Sequence, residues 1–113
     1  MLEFGQRDEG EIRVIEISGA LKILNAPELK EVIDECKRSG KLQLVVDMSN
    51  LTYVDSSGLG MLINSGRELR GEGGNILLAC VPENIHDMLR VAGLLQFFQV
   101  FESTAAAAAH YAG

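Results

Sequence analysis

The sequence predicts an α/β fold: a mostly parallel sheet of about five strands, the first antiparallel to the rest, surrounded by about four helices. Three observations point there. Short runs rich in Val, Ile and Leu alternate with longer amphipathic stretches, the order of strand–helix–strand units. The run Leu44-Val45-Val46 is apolar at every position, as a strand covered on both faces requires. The 113 residues, 47% hydrophobic and 23% charged, suit one globular domain spanning 1–113.

Leu2–Gln6 and Ile12–Ser18 read as strands joined by a polar turn at Arg7, Asp8, Glu9 and Gly10, a leading hairpin. Asn25 reads as a helix cap, with Glu28 three positions on and Pro27 in the first turn, where its missing N–H does no harm. Leu29, Val32, Ile33 and Cys36 follow helical spacing and give that helix one buried face; Gly40 ends it. Leu42–Met48 is the third strand, after which the chain loops through polar residues.

A second helix is expected from about Ser57 to Arg70, with Leu59, Leu62, Ile63 and Leu69 inward and Gly66 permitting close approach to the sheet. Gly71, Gly73 and Gly74 end it. Ile76–Val81 is a fourth strand. Pro82 starts a helix with Ile85, Met88, Leu89 and Ala92 inward and Gly93 as its stop. Phe97–Phe101 is a last strand, and the alanine-rich stretch Thr104–Tyr111 a closing helix, since alanine has the highest helix propensity. The chain shows neither a linker nor an internal repeat.

Bulk properties exclude several classes. A formal charge of −6, with no basic cluster to displace counterions, argues against direct nucleic-acid binding. Cys36 and Cys80 lack CxxC spacing and read as small buried apolar residues in a reducing compartment. No apolar run approaches a membrane span, and Met1-Leu2-Glu3-Phe4 does not open a signal peptide. The expectation is a soluble cytoplasmic protein without a membrane association.

The stretch Asp47–Gly60 carries the most information. A buried strand leads through polar residues to Asp55, Ser56, Ser57 and Gly58, placed just ahead of an apolar run, which is an N-cap signal. Hydroxyls there would lie beside unpaired N–H groups and the positive end of a helix dipole, ground that favours a phosphate. Asp55-Ser56-Ser57-Gly58-Leu59-Gly60 resembles the phosphoacceptor loop of the STAS domain family, in particular the bacterial anti-sigma factor antagonists. The resemblance extends to Val14–Leu21 with its Ser-Gly-x-Leu strand end, to the helix start at Ala26–Ile33 and to Leu89–Leu95.

The resemblance implies that Ser56, the first hydroxyl after the Asp, is phosphorylated. It also implies a cognate anti-sigma factor that is itself a serine kinase, a PP2C-type phosphatase that removes the phosphate, and release of a sigma factor when the unmodified form binds. Around Ser56 the expected partner-binding residues are Lys22, Asp55, Ser57, Gly58, Gly60, Met61 and Asn64. By periodicity the Ser56, Gly60, Met61 and Asn64 side of the helix faces outward, with Met61 an exposed, adaptable apolar contact. In the antagonists an Asp commonly follows the Gly-x-Leu strand end. Here that position is Lys22, either a solvated lysine or a cation that pairs with phosphoserine or alters kinase docking.

Other chemistries lack parts. Gly58-x-Gly60 is followed by Ile63 where a dinucleotide fingerprint needs a third small residue, and no Gly-Lys-Ser is present. Gly58 and Gly60 therefore read as tight helix–strand packing, with a small Gly58 also leaving the Ser56 hydroxyl open. Asp47 ends a central strand as a receiver phosphoacceptor would, but the first parallel strand ends Ser18-Gly19-Ala20-Leu21-Lys22 with no acid to hold magnesium. Asp47 reads instead as accepting backbone N–H bonds around Asn50 to Val54. A serine nucleophile needs a base, and His86, read as a solvated surface residue, and His110 lie outside the serine loop. Two scattered His and two scattered Cys assemble no metal site. Catalytic residues, metals and cofactors are thus all expected to be none. A scaffold or interaction subunit of a sensory or transport assembly, without a phosphorylation switch, stays open as the alternative.

Overall fold

In the computed structural model, which describes residues 2–112, the expected alternation is present. In order the elements are β1 (Leu2–Glu9), β2 (Ile12–Leu21), α1 (Ala26–Arg38), β3 (Gln43–Val54), α2 (Ser56–Gly71), β4 (Asn75–Ala79), α3 (Glu83–Val91), β5 (Val100–Phe101) and α4 (Thr104–Ala112). The strands lie in the order β1-β2-β3-β4-β5. β1 runs antiparallel to β2, and every later pairing is parallel.

Because each parallel strand neighbours its predecessor, right-handed crossovers carry successive helices to one side. The packing agrees. Leu29, Ile33, Leu62, Leu69, Ile85 and Leu89 from α1, α2 and α3 join Ile15, Ile17, Leu44, Val46, Ile76 and Leu78 in one core. The opposite residues of the same strands, Val14, Val45 and Leu77, meet Ala107 of α4 in a smaller one. The helices are thus split three to one across the sheet rather than spread evenly around it. Tyr111 fastens the lone helix: its hydroxyl lies 2.8 Å from the Leu44 and Asn75 carbonyls and donates to that pair. Burial pushes its phenol pKa well up, so it stays a donor.

Glycines close three helices by one device. Gly40, Gly73 and Gly93 adopt φ of +78°, +88° and +74°, each with the Schellman pair of bonds from the residues just past the helix end. The bonds are Lys41 N–H to Cys36 O and Gly40 N–H to Lys37 O, Gly74 to Leu69 and Gly73 to Arg70, Leu94 to Leu89 and Gly93 to Arg90.

Several boundaries differ from the sequence reading, each for a local reason. β1 continues to Glu9, because Arg7 and Asp8 are tied across the hairpin by Glu16 and Arg13, so the turn shrinks to Gly10-Glu11. β2 runs to Leu21 and β3 to Val54, well past Met48. β4 spans Asn75–Ala79 because Cys80 turns to φ +57° and leaves the strand line. β5 keeps only Val100–Phe101. Ahead of it the Phe97 and Phe98 N–H groups turn back to the Leu94 carbonyl, and the two rings meet edge-on with centroids 4.7 Å apart. Gly66 faces those rings rather than the sheet. In α3, Ile85 and Leu89 are buried and Met88 half-buried, but Ala92 is exposed as the C-cap, with Pro82 standing outside as the N-cap.

Leu62 is fully buried at the centre of the α2 face. Leu62→Ala is expected to cost on the order of 2–5 kcal/mol through lost burial and the cavity left behind. Chemical denaturation of the variant beside the parent measures it; a loss under about 1 kcal/mol would mean that the face is turned away from the sheet.

Candidate functional site

β3 outruns β4. Its pairing with β4 ends at Asp47–Ala79, whereas pairing with β2 continues through Ser18–Asn50 and Gly19–Leu51 to Leu21–Val54. The sheet thus ends in a two-stranded ribbon, with the β2–α1 loop and the start of α2 together at its tip. Two register shifts, between Glu16 and Ser18 and between Gly19 and Ala20, each give β3 one extra residue. That is why Met48, Leu51 and Val54 are all buried although they recur every third residue. Strict alternation would have sent one of them to solvent. Asp47 serves the first shift: its carboxylate accepts the Ser49 N–H at 2.9 Å, not the N–H groups of Asn50–Val54. Thr52 ties down the second, its hydroxyl donating to Gly19 O at 3.0 Å.

Asp55 is the N-cap of α2, and its carboxylate joins the two loops of the tip. Oδ1 accepts the Gly58 N–H at 2.9 Å and Oδ2 accepts the Ile23 N–H at 3.0 Å, while the Asp55 N–H donates to Leu21 O at 3.0 Å. The bond from Gly58, with those from Ile23 and Ser57 and the nearby charge of Lys22, holds the carboxyl below the usual carboxylate range, against a partial desolvation that raises it. Of the helix-start N–H groups read as open ground for a phosphate, that of Gly58 is therefore already taken by this side chain. The link from Asp55 to Ile23 has no signature in the sequence, because it joins residues 32 apart.

Asn25 stands at the N-cap of α1 as expected, but its side chain works on the same loop. It makes no side-chain cap bond; its Oδ1 accepts the Lys22 N–H and its Nδ2 donates to Ala20 O, both at 2.8 Å. Lys22 is exposed, with Nζ over the Tyr53 ring at 5.7 Å.

Of the serines, Ser56 is exposed at the first position of α2 and Ser57 is half-buried. Gly58 faces inward: a Cβ there would lie 2.8 Å from Leu21 and 3.0 Å from Val54, so it serves close packing and does not open Ser56. Gly60 does the reverse. A Cβ there would meet nothing, so Gly60, like exposed Asn64, belongs to the outward face.

Met61 does not point outward as expected. It is half-buried and packs against the main core, with the Ser65 hydroxyl 3.6 Å from its sulfur. Gly58, Ser65 and Gly66 are buried too, so the inner face is centred on Leu62 and Leu69 and broad enough to take in Met61 on one flank and Ile63 on the other. Small and polar residues hid that breadth in the sequence. His86 is also half-buried, in a cleft with Cys80, Val81, Val100, Phe101 and Glu102, none of them from the serine loop. Cys36 is buried as expected; Cys80 is only half-buried. Among the described residues no cluster of three or more His, Cys, Asp or Glu could hold a metal, and no helix is long and apolar enough to cross a membrane.

Comparison with known proteins places this geometry. The profile of the STAS domain family matches residues 6–107. The anti-sigma-B factor antagonist of Staphylococcus epidermidis is 29% identical over 90 residues, 80% of this chain and 83% of that protein. A putative anti-sigma factor antagonist from Thermotoga maritima superposes with a TM-score of 0.88 at 21% identity, over 95% of this chain and 92% of that one. The Bacillus cell fate determinant SpoIIAA in its phosphorylated form gives 0.74 at 20% identity, over 96% of this chain and 99% of that one. At these identities the two structures speak for the fold alone.

Two predictions follow from the tip. A carboxyl with a depressed folded-state pKa stabilises wherever it is ionised, above the unfolded value of about 3.9, and the contribution fades as pH falls through the lower folded value. Asp55→Asn should therefore flatten the stability loss below about pH 4, and at neutral pH the Ile23 amide of that variant should exchange faster. Thermal melts from pH 3 to 7 and hydrogen exchange check both; an unchanged acid slope would show that Asp55 is not strained toward its charged form. Gly60→Ala should raise stability by about 0.5–1 kcal/mol, because it adds helix propensity in open space. A lower denaturation midpoint would place Gly60 against the core.

Proposed function

The chain belongs to the STAS domain family, and from that membership we propose that it is a phosphorylation-switched anti-sigma factor antagonist. In this reading it is a cytoplasmic binding protein and not an enzyme. Unmodified, it docks a cognate anti-sigma factor with serine-kinase activity through the ribbon tip and the outward face of α2, and a sigma factor is released. That partner phosphorylates Ser56, and a PP2C-type phosphatase restores the hydroxyl.

The observation that carries the reading is the position of Ser56: exposed, first in its helix and next to an engaged carboxylate. A phosphoserine brings about −1.5 to −2 charges to that point. With the Asp55 carboxylate already on the Gly58 N–H, the phosphate meets a like charge at the helix start. Its charge stands on the docking face, and it weakens binding by repulsion and desolvation without refolding the chain. The role carried by name among the relatives, antagonist of an anti-sigma factor, fits such a surface. Lys22, Asp55, Ser57, Gly60 and Asn64 would share that face. Gly58 and Met61 would shape it from beneath.

Incubation with the cognate kinase and ATP should add one phosphate, mapped by mass spectrometry to Ser56. Ser56→Asp should lose partner affinity and Ser56→Ala should bind permanently, with melting temperatures close to the parent because the effect is electrostatic and exposed. Phosphate found only on Ser57, or an Asp variant that binds as tightly as the Ala variant, would overturn the mechanism. No phosphate at all would favour an unswitched scaffold.

A further inference from the structure

β1 is the outermost strand of the sheet: β2 lies along one side of it, and among the described residues no strand lies along the other. An open edge is a template for a further strand, and folded chains blunt it with brevity, a proline, a bulge or charge. β1 has eight residues, no proline, and an unbroken register with β2 from Leu2–Gly19 to Glu9–Ile12. Charge is the device it carries, on the exposed residues Glu3, Arg7, Asp8 and Glu9. The placement of those charges decides which strand the edge can accept.

We propose that β1 pairs with β1 of a second copy of this chain, antiparallel about a two-fold axis through Gly5. Residues directly opposite in an antiparallel ladder exchange both backbone bonds or neither. Along β1 the residues that point their N–H and C=O away from β2 alternate, so a two-fold pairing centres on one residue and never between two. Centred on Gly5, it spans Leu2–Asp8 and sets Glu3 of each copy opposite Arg7 of the other. Centred on Gln6, it opposes Glu3 to Glu9; centred on Arg7, it opposes the two guanidiniums. Centred on Phe4, it pairs fewer residues and no charges. The charges that turn other strands away thus admit one register of this strand with itself.

The local packing suits that axis. Glu3, Gly5 and Arg7 share a face with Ser18, Glu16 and Val14 of β2. Glu16 lies across Gly5, where a Cβ would stand 3.0 Å from its Oε1, and reaches Arg7 at 3.0 Å. Glu16 and the Thr104 hydroxyl each take one N–H of the Arg7 guanidinium, a fork with about five donors, which leaves donors for Glu3 of the second copy. Backbone bonds supply the affinity of such an added strand, and the ion pairs fix its register. Reversing β1 against its copy reverses every other strand as well. The two ribbon tips therefore point in opposite directions, and each Ser56 stays open.

Sedimentation velocity of the full chain, up to submillimolar concentration, tests the pairing. The parent should show a monomer–dimer equilibrium that added salt shifts toward monomer. Glu3→Arg sets like charges opposite each other in both pairs, and so does Arg7→Glu. Each variant should therefore self-associate about tenfold more weakly or worse. An equimolar mixture of the two should dimerise again, because each substituted position then faces the opposite charge. Melting curves confirm that both variants are folded. Amide exchange of the parent gives a reading that needs no variant: β1 amides should exchange more slowly as concentration rises. A parent that stays monomeric, with β1 exchange independent of concentration, overturns the proposal. A dimer that neither variant weakens lies on another surface and overturns it too. So does a mixture of the two folded variants that fails to recombine.

Discussion

The carboxylate of Asp55 is the contact on which the functional end of the molecule depends. Its oxygens divide between two segments, one on the Gly58 N–H at the start of α2 and the other on the Ile23 N–H after β2. A helix leaves its first N–H groups without partners, and an acidic cap answers them. Here the same charge also fixes the neighbouring loop, so the position of Leu24 and the start of α2 are set together. This arrangement gives an added phosphate a definite physics. An empty helix N-terminus captures phosphate. One already answered by a carboxylate repels it, so the proposed switch works on a surface and not on the fold.

Distance from the core makes that separation workable. Beyond Asp47 the β2–β3 ribbon has no β4 beside it, and its two register shifts keep Met48, Leu51 and Val54 turned inward while Thr52 and Tyr53 face water. Below the ribbon the sheet is closed by Leu44, Val46, Ile76 and Leu78, all fully buried under the three helices. Substitutions at the exposed tip therefore act on contacts that carry little of the folding free energy, whereas changes at Gly58 reach the core directly through Leu21 and Val54.

What the sequence made legible was whatever depends on local period and local backbone conformation. The alternation of strands and helices, the faces carrying Leu29, Ile33, Leu62 and Ile85, and the stops at Gly40, Gly73 and Gly93 all follow from residues within one or two turns of each other. What it concealed depends on distant partners or on broken period. The extra residues in β3 made Ser49–Val54 read as a loop. Ser65 and Gly66 disguised the width of the buried α2 face and misplaced Met61. Asn25 is the cap residue, yet its side chain is spent on Lys22 and Ala20 and not on the helix start. Phe97 and Phe98 have strand-forming side chains, but packing of Phe98 beneath α2 bends the chain before a strand can form. The family resemblance located the serine loop; only the fold shows which residues share its surface.

The two adjacent serines can be told apart on physical grounds, and this bears on the proposed modification. Ser57 is half-buried and lies between Asp55 and Gly58, whose N–H the Asp55 carboxylate accepts. A phosphate on its side chain would sit inside the cap, opposing the charge that holds α2 and the Ile23 loop, and would have to be partly desolvated. Ser56 lies one residue earlier, exposed, at the first helical position, where a side chain can turn to solvent without displacing a cap bond. A charge added there is screened by water on the free protein and becomes costly only when a partner covers it. Modification at Ser57 would tax the fold itself. At Ser56 it taxes only the complex, which is what a reversible switch on a stable domain requires.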